Sequence, residues 1–139
     1  PSSDLHLAPD VIRMAMSSAG PKRIALVTDA MSATGQPDGD YILGSLPVKV
    51  VDGRARLLAA DGSLGAIAGS TLTMGRAVEF VTSVVGIPLG QVAVMAATTP
   101  AKLHGLNEVG VIEEGHWADL CLTDAKGHLV RVIHRGEAV

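Results

Sequence analysis

Apolar positions change their spacing several times along this chain. Between Pro9 and Ala19, residues Val11, Ile12, Met14, Ala15 and Ala19 recur at helical spacing after Asp10, and Gly20-Pro21 ends the run; a short helix is predicted. Arg23 to Thr28 then reads Arg-Ile-Ala-Leu-Val-Thr. A continuous apolar run of this length predicts a strand covered on both faces, as in parallel sheets. Helix followed by buried strand is an α/β unit.

From Ser32 to Asp40 the residues turn to Gly, Pro, Asp and Ser, which predicts a surface loop. Tyr41-Ile42-Leu43 and Val48-Lys49-Val50-Val51 then bracket Gly44 to Pro47 as a hairpin, and Asp52-Gly53 turns the chain into the alternating Arg54 to Leu58. Ser70 or Thr71 is placed to cap a helix whose apolar face is Leu72, Met74, Ala77, Val78, Val81 and Val85, stopped by Gly86. Pro88 opens another helix to about Thr98, and Pro100 a shorter one ending near Gly105. Leu120 to Thr123 and Leu129 to Ile133, joined by Asp124-Ala125-Lys126-Gly127, predict a closing hairpin. The order is α/β, then antiparallel β, then helices, then β again. Two architectures sharing one chain account for this more simply than one.

Length and composition narrow the function classes. At 139 residues the chain is one domain or a piece of one. With 47% hydrophobic and 18% charged residues it is no solvated disordered chain. One Phe, one Trp and one Tyr leave no stacking platform for single-stranded nucleic acid. A net charge of -3 argues against phosphate-backbone binding. Small molecules or other protein are the expected partners. The single Cys121, in Asp-Leu-Cys-Leu, is expected to be a buried small hydrophobe, and it fits a reducing cytoplasm. No apolar run reaches the roughly 18 to 20 residues of a membrane helix. The first ten residues lack the pattern of a signal peptide. A chain opening on Pro1 is expected to be a segment of something longer.

Val27-Thr28-Asp29-Ala30 places a carboxylate at the C-terminal end of the expected strand, the edge where α/β folds gather catalytic side chains. Capping a turn or helix is the competing role for Asp29. His6, in Asp4-Leu5-His6-Leu7, suits either a structural histidine or a site residue. His104, His116, His128 and His134 show no spacing of a self-contained metal site. Gly62, Gly65 and Gly69 could bring backbone N–H groups close to a ligand, but Gly62 to Thr71 lacks the ending of a phosphate loop and reads otherwise as a flexible loop.

In combination these segments are specific. Leu26-Val27-Thr28-Asp29-Ala30-Met31, Gly39-Asp40-Tyr41-x-Leu43-Gly44, Ile67-Ala68-Gly69-Ser70-Thr71-Leu72-Thr73-Met74, Thr99-Pro100-Ala101 and Gly110-x-Ile112-x-x-Gly115-x-x-Ala118-Asp119-Leu120 follow in order. The set resembles the N-acetylglucosamine-6-phosphate deacetylases of the amidohydrolase superfamily, over this whole chain but only the C-terminal part of the family's length. The Pro-Ala and Gly-x-x-Ala-Asp-Leu elements mark the superfamily. Thr-Asp-Ala and Ala-Gly-Ser-Thr-Leu-Thr-Met, with His6 upstream, mark the deacetylase. Ser63-Leu64-Gly65-Ala66 is longer than the family's usual link at that point.

The resemblance implies the C-terminal part of a metal-dependent TIM-type (β/α)8 barrel plus part of a small β-sandwich. Residues 1–37 would be the last barrel strand and helix units, 38–69 a β-rich segment with hairpins and a substrate-site loop. Residues 70–107 would be helices closing the barrel, and 108–139 the C-terminal sandwich strands. Asp29 would be the catalytic aspartate, general base toward a metal-activated water and then general acid to the leaving nitrogen. His6, Ile67, Ala68 and Gly69 would meet the substrate, N-acetylglucosamine 6-phosphate. The divalent metal, Zn, Fe or similar, would be held by a Glu and two His from the missing N-terminal portion, with none of its ligands in this chain. The whole enzyme would be a cytoplasmic homodimer, and the fragment alone inactive. The alternatives are another amidohydrolase, a cyclic amidase or deaminase, and a purely structural or interaction module.

Overall fold

The computed structural model describes residues 7–139, and contacts divide the chain into two units. The first, Thr28–Thr73, is built around an antiparallel meander of β1 (Gly39–Leu43), β2 (Leu46–Val51), β3 (Arg54–Leu58) and β4 (Leu64–Ser70), in the order β1-β2-β3-β4. Its turns are where the sequence places them. Gly44 has φ 64, and Asp52-Gly53 has φ 51 and 71, the left-handed pair that a tight hairpin turn requires. Asp38 accepts from the backbone N–H groups of both Asp52 and Gly53, tying the preceding loop to that turn. Pro47, expected in the first turn, lies inside β2 opposite Ile42.

Gly62 to Thr71 is mostly strand, contrary to the loop expected there. Arg54, Arg56 and Leu58 of β3 face Ser70, Ile67 and Leu64 of β4. Each interval of two residues on β3 therefore meets three on β4, so β4 carries two bulges. Two extra residues of β4 are absorbed in this way, as a bulge absorbs an extra residue at the cost of local pairing. Arg56 Nε donates to Gly65 O at 2.9 Å and occupies one of the carbonyls there. Inward-facing Val48, Val50, Ala55 and Ala68 pack with Met31 and Ala33 to form this unit's core. Ser70 ends β4 rather than capping a helix. Its hydroxyl accepts from Leu72 N at 2.8 Å, and the next helix begins at Met74.

The second unit joins Leu7–Val27 to Met74–Val139. Helix α1 spans Pro9–Ala19, as its apolar spacing predicts, with Pro9 in the first turn and Gly20 at its end. Helix α2 (Met74–Phe80) continues as a π-helix, Val81–Val85, until left-handed Gly86. Arg13 of α1 donates to Val85 O at 2.8 Å and Val84 O at 3.2 Å, serving carbonyls that a helix end leaves without partners. A second helical run comprises α3 (Leu89–Ala93), a π-turn Val94–Thr98 and α4 (Thr99–Leu103). The π-turn precedes Pro100, which has no N–H for an i–4 carbonyl; Thr99 N–H bonds Val94 O instead. Met16, Val81, Val85, Ile87, Val92 and Met95 form the core here.

Residues 24–28 do not join a ladder among the described residues. Ile24 is extended, Leu26 N–H bonds Met95 O at 3.0 Å, and Ile24 and Leu26 pack on the helical core. Val27 is 75% exposed, so the run is covered on one face rather than both. The C-terminal hairpin is a three-stranded meander of β5 (Leu120–Thr123), β6 (Leu129–His134) and β7 (Glu137–Ala138). Cys121 is exposed on it, not buried, as is its neighbour Leu122, because the described residues leave the middle of β5 uncovered. No helix among the described residues is long and apolar enough to cross a membrane.

Candidate functional site

Asp29 follows the extended run and is itself in the left-handed region, at φ 50. Few non-glycine residues sit there, though Asp tolerates it better than most. Two backbone bonds flank the position: Ser70 N–H donates to Asp29 O at 3.0 Å, and Met31 N–H donates to Ser70 O at 2.9 Å. They form a single parallel bridge between Ala30 and Ser70. The Asp29 side chain is exposed. The chain beyond it turns rather than starting a helix, so helix capping does not account for it.

Of the other expected site residues, Ile67, Ala68 and Gly69 lie on β4, exposed, buried and half-buried in turn. Gly69 has φ +95, and a Cβ there would lie 3.6 Å from Asp29 O and from Met31 Cβ. The fold thus brings Gly69 against Asp29, while Ile67 pairs with Arg56 between the two bulges of β4. His6 lies outside the described residues. Ser70 ties the two segments together; in the sequence its place in the Ala-Gly-Ser-Thr motif is the signal for it, with no pairing to Asp29 visible there.

Among the described residues no group of three or more His, Cys, Asp or Glu is placed to hold a metal. The C-terminal histidines have acidic partners instead. His128 Nδ1 lies 2.7 Å from Asp124 and its Nε2 3.2 Å from Glu79 of α2. The hydrogen bond to Asp124 raises the His128 pKa, aided by the nearby Asp124 and Glu79 charges, and the same bond lowers that of Asp124. Asp119 of the Ala-Asp-Leu motif accepts from Arg135 N at 2.7 Å and meets His134 Nδ1 at 3.0 Å. The Arg135 N–H bond, with a contribution from His134, holds its carboxyl below the usual value. Asp119 therefore fastens the β6–β7 turn. The Pro-Ala motif has a packing role too: Thr98 Oγ1 donates to Gly110 O at 2.6 Å, and a Cβ on Gly110 would meet Ala101 Cβ at 2.6 Å.

The model of the amidohydrolase family matches residues 1–139, the whole chain. The chain belongs to the amidohydrolase family. Like other amidohydrolases it falls in a family that is generally metal-dependent. It is 34% identical to an N-acetylglucosamine-6-phosphate deacetylase of Vibrio furnissii, over 96% of this chain and 32% of the relative. It is also 32% identical to an N-acetylgalactosamine-6-phosphate deacetylase of Escherichia coli O157:H7, over 84% of this chain and 30% of that protein. An aspartate-to-alanine variant of the Mycobacterium smegmatis N-acetyl-D-glucosamine-6-phosphate deacetylase, solved in complex with N-acetyl-D-glucosamine-6-phosphate, superposes with a TM-score of 0.83 at 36% identity. That likeness covers 96% of this chain and 35% of the solved one. The chain thus spans about a third of the length of each of these three relatives.

Proposed function

We propose that this chain is the C-terminal portion of a metal-dependent deacetylase that hydrolyses N-acetylglucosamine 6-phosphate to glucosamine 6-phosphate and acetate. The observation that carries the reading is the likeness, across nearly all of the chain, to proteins named for that activity. In this reading Arg23 to Thr28 is the last strand of a TIM-type barrel, and β5 to β7 belong to a small β-sandwich. The exposed face of Val27 supports the first assignment and the uncovered β5–β6 sheet the second. A divalent metal does not fit the described residues of this chain alone. Its ligands, a Glu and two His, belong in this reading to the part of the relatives' length that the chain does not span. In the same reading the whole enzyme is a homodimer in the cytoplasm.

Asp29 is the proton carrier of the proposed reaction. Its carboxylate takes a proton from the water that attacks the acetyl carbonyl and returns it to the sugar nitrogen as the C–N bond breaks. The backbone of Ile67, Ala68 and Gly69 lines the sugar site, and His6 contacts the substrate. Exposure of Asp29 and its placement beside Gly69 support these roles. The test is hydrolysis by the metal-loaded intact protein of the gluco substrate, its galacto epimer and a cyclic amide. Preference for the gluco substrate is expected; no deacetylation would sink the proposal, and preference for the galacto epimer would redirect it. Asp29→Asn is expected to keep the metal content while lowering turnover by about 100-fold to 10,000-fold, the range general acid–base catalysis supplies. Unchanged turnover would remove Asp29 from the chemistry.

A further inference from the structure

We propose that Ser70, at the end of β4, is the positioning residue that aims the Asp29 carboxylate, an inference that rests on the catalytic role proposed for Asp29. A left-handed non-glycine residue persists only when its surroundings over-determine it. At Asp29 they do so from two sides. Ser70 takes both main-chain bonds around it, donating to Asp29 O and accepting from Met31 N. Directly after it, Met31 and Ala33 are buried in the core of the meander, so the chain cannot swing away from β4. Gly69 supplies the backbone for this approach through its φ of +95, which side-chain-bearing residues rarely adopt, and a Cβ there would lie in ordinary van der Waals range of Asp29 O.

Ser70 is itself held. It is 5% exposed, pairs with Arg54 of β3, and accepts from Leu72 N through its hydroxyl. That last bond holds the end of β4, and with it the two peptide groups flanking Ser70, whose N–H bonds Asp29 O and whose C=O bonds Met31 N. The hydroxyl does not reach the reacting atoms in this scheme; it acts through the backbone on the direction in which Asp29 leaves the strand. Small misplacements of a catalytic group are costly, on the order of 100-fold for 1 Å.

The test compares Ser70→Ala and Ser70→Thr in the metal-loaded intact protein. Ser70→Ala is expected to lower kcat roughly tenfold per folded molecule with KM within about twofold, since orientation rather than binding is lost. Ser70→Thr keeps the hydroxyl oxygen and is expected to restore kcat to within about twofold. If Ser70→Ala does not fold, an amide-to-ester replacement at residue 70, which exchanges the N–H that bonds Asp29 O for an oxygen, is expected to lower kcat in the same way. Wild-type kcat in the folded alanine or ester variant, even with a reduced melting temperature, overturns the positioning role. That result together with an inactive Asp29→Asn would leave the catalytic reading intact, whereas an active Asp29→Asn removes the reading beneath.

Discussion

Glycines with a left-handed backbone and a crowded missing Cβ are the residues at which this fold has least tolerance. Gly110 is the clearest case: φ is +87, and an added Cβ would lie 2.6 Å from Ala101 Cβ and 3.1 Å from Ala97 O. Both the backbone strain and the overlap oppose substitution. Gly110→Ala is expected to destabilise the fold by roughly 2 to 4 kcal/mol, read as a lower midpoint in denaturant with an unchanged slope. A midpoint equal to that of the parent would show that the Ala101 helix can retreat. Asp29 is the opposite kind of residue. Its strain is carried by an exposed side chain with an acidic group, where strain has a functional use.

Between elements, the β5–β6 turn and helix α2 form a pH-sensitive junction. Gly127 packs within 3.2 Å of Glu79 Cα, counted from where its Cβ would be. Ser83 Oγ donates to Lys126 O at 2.7 Å, and Asp124 accepts from the N–H groups of Lys126 and His128. The His128 pKa is raised by Asp124 and Glu79, so its contribution is full below the unfolded value of 6.5 and is lost as pH rises through the folded one. The Asp124 pKa is lowered, so its contribution is present above 3.8 and is lost as pH falls through the depressed folded value. Protection of the Lys126 and His128 amides from hydrogen exchange, corrected for intrinsic rate, is therefore expected to be greatest between about pH 4 and 6.5. His128→Ala is expected to remove the decline on the alkaline side. Protection that is flat across pH 4 to 9 would dissociate the junction from these charges.

For the molecule as a whole, the notable property is how much apolar surface faces solvent. Ile112 is 87% exposed, Leu103 74% and Val130 69%, and the two cores are small. Large exposed apolar areas mark surfaces that another part of a protein covers. The 139-residue chain alone is expected to self-associate in light scattering, and to become soluble when co-expressed with a segment supplying the rest of the relatives' length. A monodisperse monomer with a sharp cooperative melt would contradict both this expectation and the partial-enzyme reading. The coverage of about a third of the Vibrio furnissii and Mycobacterium smegmatis relatives is what makes such a partner segment the natural occupant.

Much of the architecture was legible in the residue order because it is governed by near neighbours. The apolar spacing and Gly20-Pro21 bound α1, Asp52-Gly53 reverses the chain between β2 and β3, and Gly86 stops the α2 run. The catalytic candidate and its family could be read from linear motifs for the same reason. Burial and pairing across long separations were not legible in this way. Whether Arg23 to Thr28 has neighbours in a ladder and whether Cys121 is covered both depend on surfaces contributed by residues remote in sequence. The bulges that turn Gly62 to Thr71 into a strand, and the bridge that sets Ser70 against Asp29, likewise arise only when distant segments close on each other. Periodicity reports which face of an element is apolar, while the partner for that face is chosen by packing.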